Sequence, residues 1–528
     1  MKTLLQAYAA KLEHKENQRI WLEQNQLYLG DIHNHCAISY GHGSLSKAIA
    51  FAQQQLDFFS VTGHFAWPDM ENPDRAIPPK VIAYHKEGFA RLRKGWDEYL
   101  AKMQEASKGI VTFVSYEYHS FELGDYTILV KDLDGKLPID PEGVDTRLTD
   151  LLRNNKAKDS DIICMPHHIG YKTGFRGINW DGFNEDASPI IEIMSMHGAS
   201  ESEHATPAYL HTMGPKSKDN TMQGGLTRGL HFGVVGSTDH HNASPGSYGS
   251  GRAGVWALAK TQDAIWDGIL QRQTIAYTGD RIAIASFVND SPMGSVCEAA
   301  HDKVELDAYV LAPSSLKRVE ILLDGEIIDR VFPEKRKTTS KRFDLNLGWG
   351  QRDSVSSWKL KLSVEGATIT DAVPRFRGEY VVDPLSIPKD GSALVPQCSL
   401  EHGVVAVTCI TSGNVSATTD GTQGFGFGIE ASSPYKLTFE VELIVDGTTF
   451  NRTFTYSSVQ LQGGSTVEYL NGFVSPAFCL SREMDESECM VEIHKSLLVK
   501  AKSNLYVRAF EDKGDAAWTS AIWVNQKK

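Results

Sequence analysis

At 528 residues the chain is too long for a single core, and about three domains are expected. Hydrophobic residues make up 41% and charged residues 23%, the balance of an ordinary folded protein without a disordered tract. A net charge of −13 argues against general nucleic-acid binding, which needs a basic surface, but leaves room for an acidic small substrate beside a local metal cluster.

In chain order, Met1-Lys2-Thr3-Leu4-Leu5 imitates a secretory signal. The apolar stretch then fails at Lys11-Leu12-Glu13-His14-Lys15-Glu16, so residues 1–25 are read as an amphipathic helix packed on the main domain. Leu27-Tyr28-Leu29-Gly30 reads as a strand. A helix is expected from Ser44, as N-cap, to Gln55, with Ala48, Ala52 and Leu56 on one face. Further apolar strands are expected at 58–62, 110–114, 162–165, 190–194 and 232–236. Near-continuous apolar strands separated by helices indicate a parallel α/β sheet, and their number suggests a barrel, whose functional side chains gather at the strands' C-terminal ends. Beyond about residue 286 apolar and polar residues alternate, with turns at Asp324-Gly325, Asp446-Gly447 and Gly463-Gly464. This predicts an antiparallel β-sandwich region. The expected division is 1–285, 286–385 and 386–528, the second boundary lying in the Pro-, Gly- and Asp-rich run from Pro374 to Pro396. The C-terminal strand of the second lobe is allowed to return to the first lobe. No run of 18 apolar residues occurs, so no membrane span is expected. Seven scattered cysteines without a CxxC pair read as reduced thiols of a cytoplasmic protein.

Fifteen of the 18 histidines lie before residue 286, so the chemistry belongs to the N-terminal part. Each expected strand there is followed by candidate ligands: Asp31, His33 and His35; His64; Glu117 and His119; His167 and His168; His197; Asp239, His240 and His241. Two imidazoles one residue apart at a strand end can turn to one side and suit a borderline divalent metal. Alone, such a pair is equally well a pair of satisfied core histidines. The recurrence at six strand ends favours a metal site.

The order Asp31-x-His33-x-His35, Thr62-x-His64, a strand followed by x-x-Glu117, Pro166-His167-His168 and Ser237-Thr238-Asp239-His240-His241 resembles the PHP (polymerase and histidinol phosphatase) family of metal-dependent phosphoesterases. It is most similar to a bacterial branch with a C-terminal β-region, and the ending from Leu505 to Trp523 extends the likeness. The resemblance implies a distorted (β/α)7 barrel with two or three divalent ions, Zn, Mn or Fe. It implies that His33, His35, Glu117 and Asp239 hold the first ion. Glu117 bridges to a second, held also by His167 and His197, while His64, His241 and His42 serve a third. It further implies a hydrolase acting on a small phosphorylated compound through a metal-activated hydroxide, with Asp239, His241 and His168 in catalysis. The sequence departs from the pattern at Gly63, where the family has an acid, and at His42, which needs a shifted loop.

His240 is expected to touch substrate, and His119 shares the face of Glu117. Arg281, Arg176, Lys172 and Arg252 are candidates for neutralising a phosphoester, since guanidinium matches its oxygens. Arg281 is favoured, with an ion pair to Asp280 or another acid as its rival role. Cys36 is read as a buried thiol facing away from the metals. Two other functions compete: an amidohydrolase-like or carboxyl-ester hydrolase on the same cluster, and a catalytically inert metal-binding scaffold. The expected partner is the phosphorylated small molecule, without nucleic acid or membrane; self-association is left open.

Overall fold

The apolar run before the first histidines forms the strand Gln26–Asp31, which in this computed structural model lies inside an eleven-stranded sheet. The structure describes residues 3–133, 146–210, 213–348, 355–379, 394–412, 421–432, 434–470 and 476–527. Strand Gln26–Asp31 pairs in parallel with Phe58–Phe59, which pairs in parallel with Val111–Thr112. Both neighbours stop after two residues and resume as Thr62–Ala66 and Val114–Tyr118 in a separate four-stranded sheet. That sheet continues through Tyr126–Val130 to Ile162–Pro166, and a three-stranded sheet holds Ile190–Ser195 parallel to Gly233–Gly236. These strands are buried along most of their length, as their continuous apolar sequence requires.

The architecture is mixed α/β and rich in strands, and the expectation of a parallel sheet holds only in part. Residues 119–125 link Tyr118 to Tyr126 and are too few for a crossover helix. Strand Tyr126–Val130 therefore runs antiparallel to both neighbours. Arg252–Ala257 likewise runs antiparallel to Gln26–Asp31. Reversal places the starts of these two strands, at Asp125 and Arg252, beside the C-terminal ends of the others.

The helix after the first histidines spans Leu45–Gln55, and the Ser44 hydroxyl caps it by accepting from the Lys47 N–H (3.1 Å). Ala48 and Ala52 are fully buried on its inner face. The expected N-terminal helix is instead three short pieces, Leu4–Ala7, Ala9–Leu12 and Glu16–Gln24, broken where Tyr8 turns its hydroxyl to the carbonyls of Val310 and Val491. Leu4, Tyr8, Leu12 and Leu22 join the main core.

Residues 340–485 supply most of two antiparallel sheets of six and five strands that share a core containing Phe343, Trp358, Phe427 and Phe439. Strands such as Val404–Ser412 bury every second residue, the period-two pattern of a half-covered sheet. Phe51, from the helix after the first histidines, packs into this same core. The last strands, Lys502–Glu511, Ala516–Thr519 and Ile522–Gln526, return to the eleven-stranded sheet, where Ala516–Thr519 pairs with Thr274–Tyr277. The expected boundary at 385/386 lies outside the described residues. Among the described residues no helix is long and apolar enough to cross a membrane.

Candidate metal centre

His33, His35, Glu117, His167, His197, Asp239 and His241, from at or beyond the C-terminal ends of their strands, meet His64 from the middle of Thr62–Ala66. Two carboxylates organise them. The Oε2 of Glu117 lies 3.2 Å from His64 Nε2, 3.4 Å from His35 Nε2 and 3.7 Å from His33 Nε2. It makes no hydrogen bond. The other oxygen, Oε1, lies 3.0 Å from His167 Nε2 and 3.0 Å from His119 Nδ1. Asp239 Oδ1 is 3.0 Å from His35 Nε2 and 3.5 Å from His33 Nε2, while Oδ2 is 3.0 Å from His197 Nε2. The ligand atoms of His35, His64 and His241 also come within 4.8 Å of one another.

The far nitrogen of each ring has its own partner. His33 Nδ1 meets Glu192 Oε2 at 2.7 Å, His35 Nδ1 the Thr62 carbonyl at 2.7 Å, and His241 Nδ1 the Asp239 carbonyl at 2.8 Å. His64 Nδ1 meets Ser39 Oγ at 3.1 Å, His167 Nδ1 meets Thr127 Oγ1 at 3.0 Å, and His197 Nδ1 meets the Tyr171 hydroxyl at 3.0 Å. Carbonyl and carboxylate oxygens only accept, so His33, His35 and His241 must donate from Nδ1. In the neutral rings this leaves lone pairs on Nε2, and for His33 and His35 they face carboxylate oxygens. Acceptors converging on acceptors need a cation, or added protons, between them. An outer partner on each imidazole that fixes its tautomer is the arrangement of metal-ligating histidine. The donor set therefore fits divalent ions.

Electrostatics carry the same imprint. Burial pushes the Glu117 carboxyl up, but His119, His64 and His167 outweigh it and hold the group well below the usual range. Asp239 is also held low, against burial, by His33 and by hydrogen bonds from His197 and His35. Burial drives His64 and His168 well below the ordinary imidazole value, His167 to about 4 and His241 to about 3. His33 goes the other way: Glu192 and Asp239 overcome burial and raise it. Glu192 itself is raised to about 7 by burial, against the pull of His33.

Asp31 accepts from Thr238 Oγ1 (2.6 Å) and from the backbone N–H groups of Gly246, Thr238 and His33, so it ties two loops together. The backbone N–H of His42 donates to the His241 carbonyl (2.7 Å), which joins the two loops. A Cβ at Gly63 would lie 2.5 Å from Leu92 Cδ1, so a side chain there requires Leu92 to move. His168 sits at the edge with Nε2 3.4 Å from Asp125 Oδ2 and a buried Nδ1 without a hydrogen bond. Near His240 a Cβ at Gly378 would come 2.7 Å from Cε1, so that ring packs against the segment after the strand Thr368–Arg375. Cys36 is fully buried in the main core.

Of the four cationic candidates only Arg176 reaches the cluster. Its Nε donates to Asp125 Oδ2 (2.6 Å), its guanidinium lies 3.9 Å from Glu117 Oε1, and it stacks 4.7 Å over the Trp67 ring. The other three lie elsewhere. Arg281 pairs with Asp57 (3.4 Å), an acid at the start of its strand rather than the ligand end. Arg252 is buried and donates to the carbonyls of Gly246 and Gly279 and to Gln55, which uses its whole fork as a corner brace. Lys172 is exposed.

Sequence reading missed Glu192, Asp125 and Tyr40. Glu192 had a visible signal, a lone acid inside the apolar run Ile190–Met194. Tyr40 stacks on His64 and its hydroxyl meets His119 Nε2 at 3.1 Å, while His119 Nδ1 meets Asp125 Oδ2 at 3.0 Å. Asp125 directly precedes the antiparallel strand Tyr126–Val130, which the sequence did not reveal.

No family model matches the chain. An uncharacterised protein of Chlamydia pneumoniae is 24% identical over 189 residues, which cover 33% of this chain and 30% of that protein. One from Chlamydia muridarum is 25% identical over 190 residues with the same coverage. The match thus spans less than a third of either relative's length. A solved structure from Bacteroides vulgatus, a two-domain protein containing a predicted PHP-like metal-dependent phosphoesterase, is similar over 82% of this chain and 96% of that one, with 13% identity and a TM-score of 0.31.

Proposed function

We propose that the chain is a metal-dependent phosphoesterase acting on a small phosphorylated compound. The observation that carries the reading is the convergence of imidazole Nε2 atoms on Glu117 and Asp239, each ring fixed from behind. In this reading His33, His35, Glu117 and Asp239 hold one divalent ion, and Glu117, His167 and His197 a second. A third belongs to His64 and His241, with His42 beside them. The strands that carry these residues form the wall of a distorted seven-stranded (β/α) barrel, and the paired sheets that follow form a β-sandwich.

Bound there, Zn, Mn or Fe supplies Lewis acidity and a nucleophile at neutral pH. The chain's own residues do the rest. Glu117 directs one oxygen toward His35 and the other toward His167, so it would be available to ions on both sides. Arg176 places a fixed positive charge beside Glu117, suited to the remaining charge of a phosphoester. His168 keeps a buried ring nitrogen open for a hydrogen bond to substrate.

Chelation followed by restoration with Mn²⁺ or Zn²⁺ tests the reading. p-Nitrophenyl phosphate, a phosphodiester analogue and a carboxyl ester are assayed side by side. Metal-restored turnover of a phosphoester supports it. Preference for the carboxyl ester, or unchanged activity after verified metal removal, overturns it.

A further inference from the structure

The loop that carries Asp239 and His241 does not stand alone. Residues 375–379, which leave the β-region after the strand Thr368–Arg375, lie across it as a strap. The Tyr248 N–H donates to the Phe376 carbonyl (2.8 Å), the Gly378 N–H to Ser247 Oγ (2.9 Å), and Arg377 to the Tyr248 carbonyl (2.9 Å). Asn242 Nδ2 donates to the Glu379 carbonyl (3.1 Å). Gln55, on the helix that follows the first histidine loop, donates to Gly246 (2.7 Å) and accepts from the Phe376 N–H (3.2 Å), so one side chain binds helix, loop and strap.

The anchor is ionic. Arg375 is buried and grips Asp280 through Nε (2.8 Å) and a terminal nitrogen (2.7 Å), with its other nitrogen on Asp344 (2.6 Å). Contact is closest at Gly378, where a Cβ would lie 2.4 Å from Ser244 Cβ and 2.7 Å from His240 Cε1. No side chain fits there while Ser244 and His240 keep their positions. His240 is flanked by two of the proposed ligands.

We infer that the strap positions the Asp239–His241 loop, so that strap docking and ion binding at those ligands are one coupled event. The inference rests on the metal centre proposed above. Coupling is reciprocal: an ion at Asp239 and His241 tightens the strap, and a displaced strap weakens the ion. Gly378 is therefore a positioning residue.

Two measurements on the full chain test it. Hydrogen exchange followed by mass spectrometry, with Mn²⁺ or Zn²⁺ alone as the probe, is expected to slow exchange in strap peptides about tenfold. Gly378→Ala is expected to bind the ion about tenfold more weakly. Adding Ser244→Gly, which removes the nearest obstructing atoms, is expected to recover much of that loss. Unchanged exchange in the wild type overturns the inference even if Gly378→Ala does not fold. Equal ion affinity in a folded Gly378→Ala also overturns it. Failure of the metal centre itself reads differently, because the wild-type chain then takes up no ion.

Discussion

His33 and Glu192 form a buried pair, Nδ1 to Oε2 at 2.7 Å, in which the carboxylate lies behind the ring and the ring's other nitrogen faces Glu117 and Asp239. A carboxylate in that place fixes the tautomer and raises the basicity of the ligating nitrogen. Glu192→Gln keeps the shape and loses the charge, so divalent-ion affinity is expected to fall about 10- to 100-fold. Calorimetric titration of the metal-free variant checks it. Affinity equal to wild type would leave Glu192 a mere packing residue.

Arg176 and Asp125 make a second buried pair beside the cluster, with His119 on the same carboxylate. Arg176→Met leaves Asp125 without its guanidinium, and breaking such a pair costs about 3–5 kcal/mol. The expected outcome is a lower denaturant midpoint together with a raised KM for a phosphoester. Restored stability with KM still raised in Arg176→Met/Asp125→Asn separates the two effects. A normal KM there removes Arg176 from substrate binding.

Glu320 gives a pH dependence away from the metal centre. It is buried on the strand Leu316–Leu323 and accepts from Arg318 (2.8 Å), Arg330 (2.9 Å) and Arg508 (2.7 Å). Burial raises its carboxyl, but the three guanidinium groups outweigh burial and lower it from an ordinary 4.5 to about 2. A depressed carboxyl stabilises the fold above its unfolded value and loses that contribution as pH falls. The stabilisation is therefore complete above about pH 4.5 and lost between there and about pH 2. Urea midpoints measured across that window are expected to fall more steeply in wild type than in Glu320→Gln. Parallel slopes would contradict the assignment.

Gly63 stands directly before His64 on the buried strand Thr62–Ala66. Because Leu92 fills the space beside it, Gly63→Asp is expected to destabilise by about 1–3 kcal/mol through overpacking, and Gly63→Asp/Leu92→Ala to relieve part of that strain. Thermal unfolding of the two variants checks the ordering. If the single variant is as stable as wild type, crowding by Leu92 does not explain the glycine.

Much of the centre was legible because an apolar strand ends where its next polar residue appears. His33, His35, His64, Glu117, His167, His197, Asp239 and His241 follow from that register, and the structure gathers them. For Arg281 an ion pair with an acid was among the expected roles, but which acid was not legible. It follows a strand ending in Tyr277 and sits near an acidic Asp280, yet its partner is Asp57, 224 residues earlier in the chain. Long-range pairing of a flexible cation leaves no local trace.

The sequence by itself determined where the donors lie along the chain, since strand length and the position of the first polar residue are local properties. It also determined the change from continuous to alternating apolar patterns near residue 286. Only the tertiary structure decided strand direction, because a seven-residue link turns Tyr126–Val130 back and brings Asp125 to the ligand edge. Only it decided which histidine nitrogen faces inward, since Glu192, Thr62 and Asp239 reach the rings from elements distant in sequence or from the backbone. And only it laid residues 375–379 of the β-region across the Asp239–His241 loop, through backbone and side-chain partners that no local residue pattern encodes.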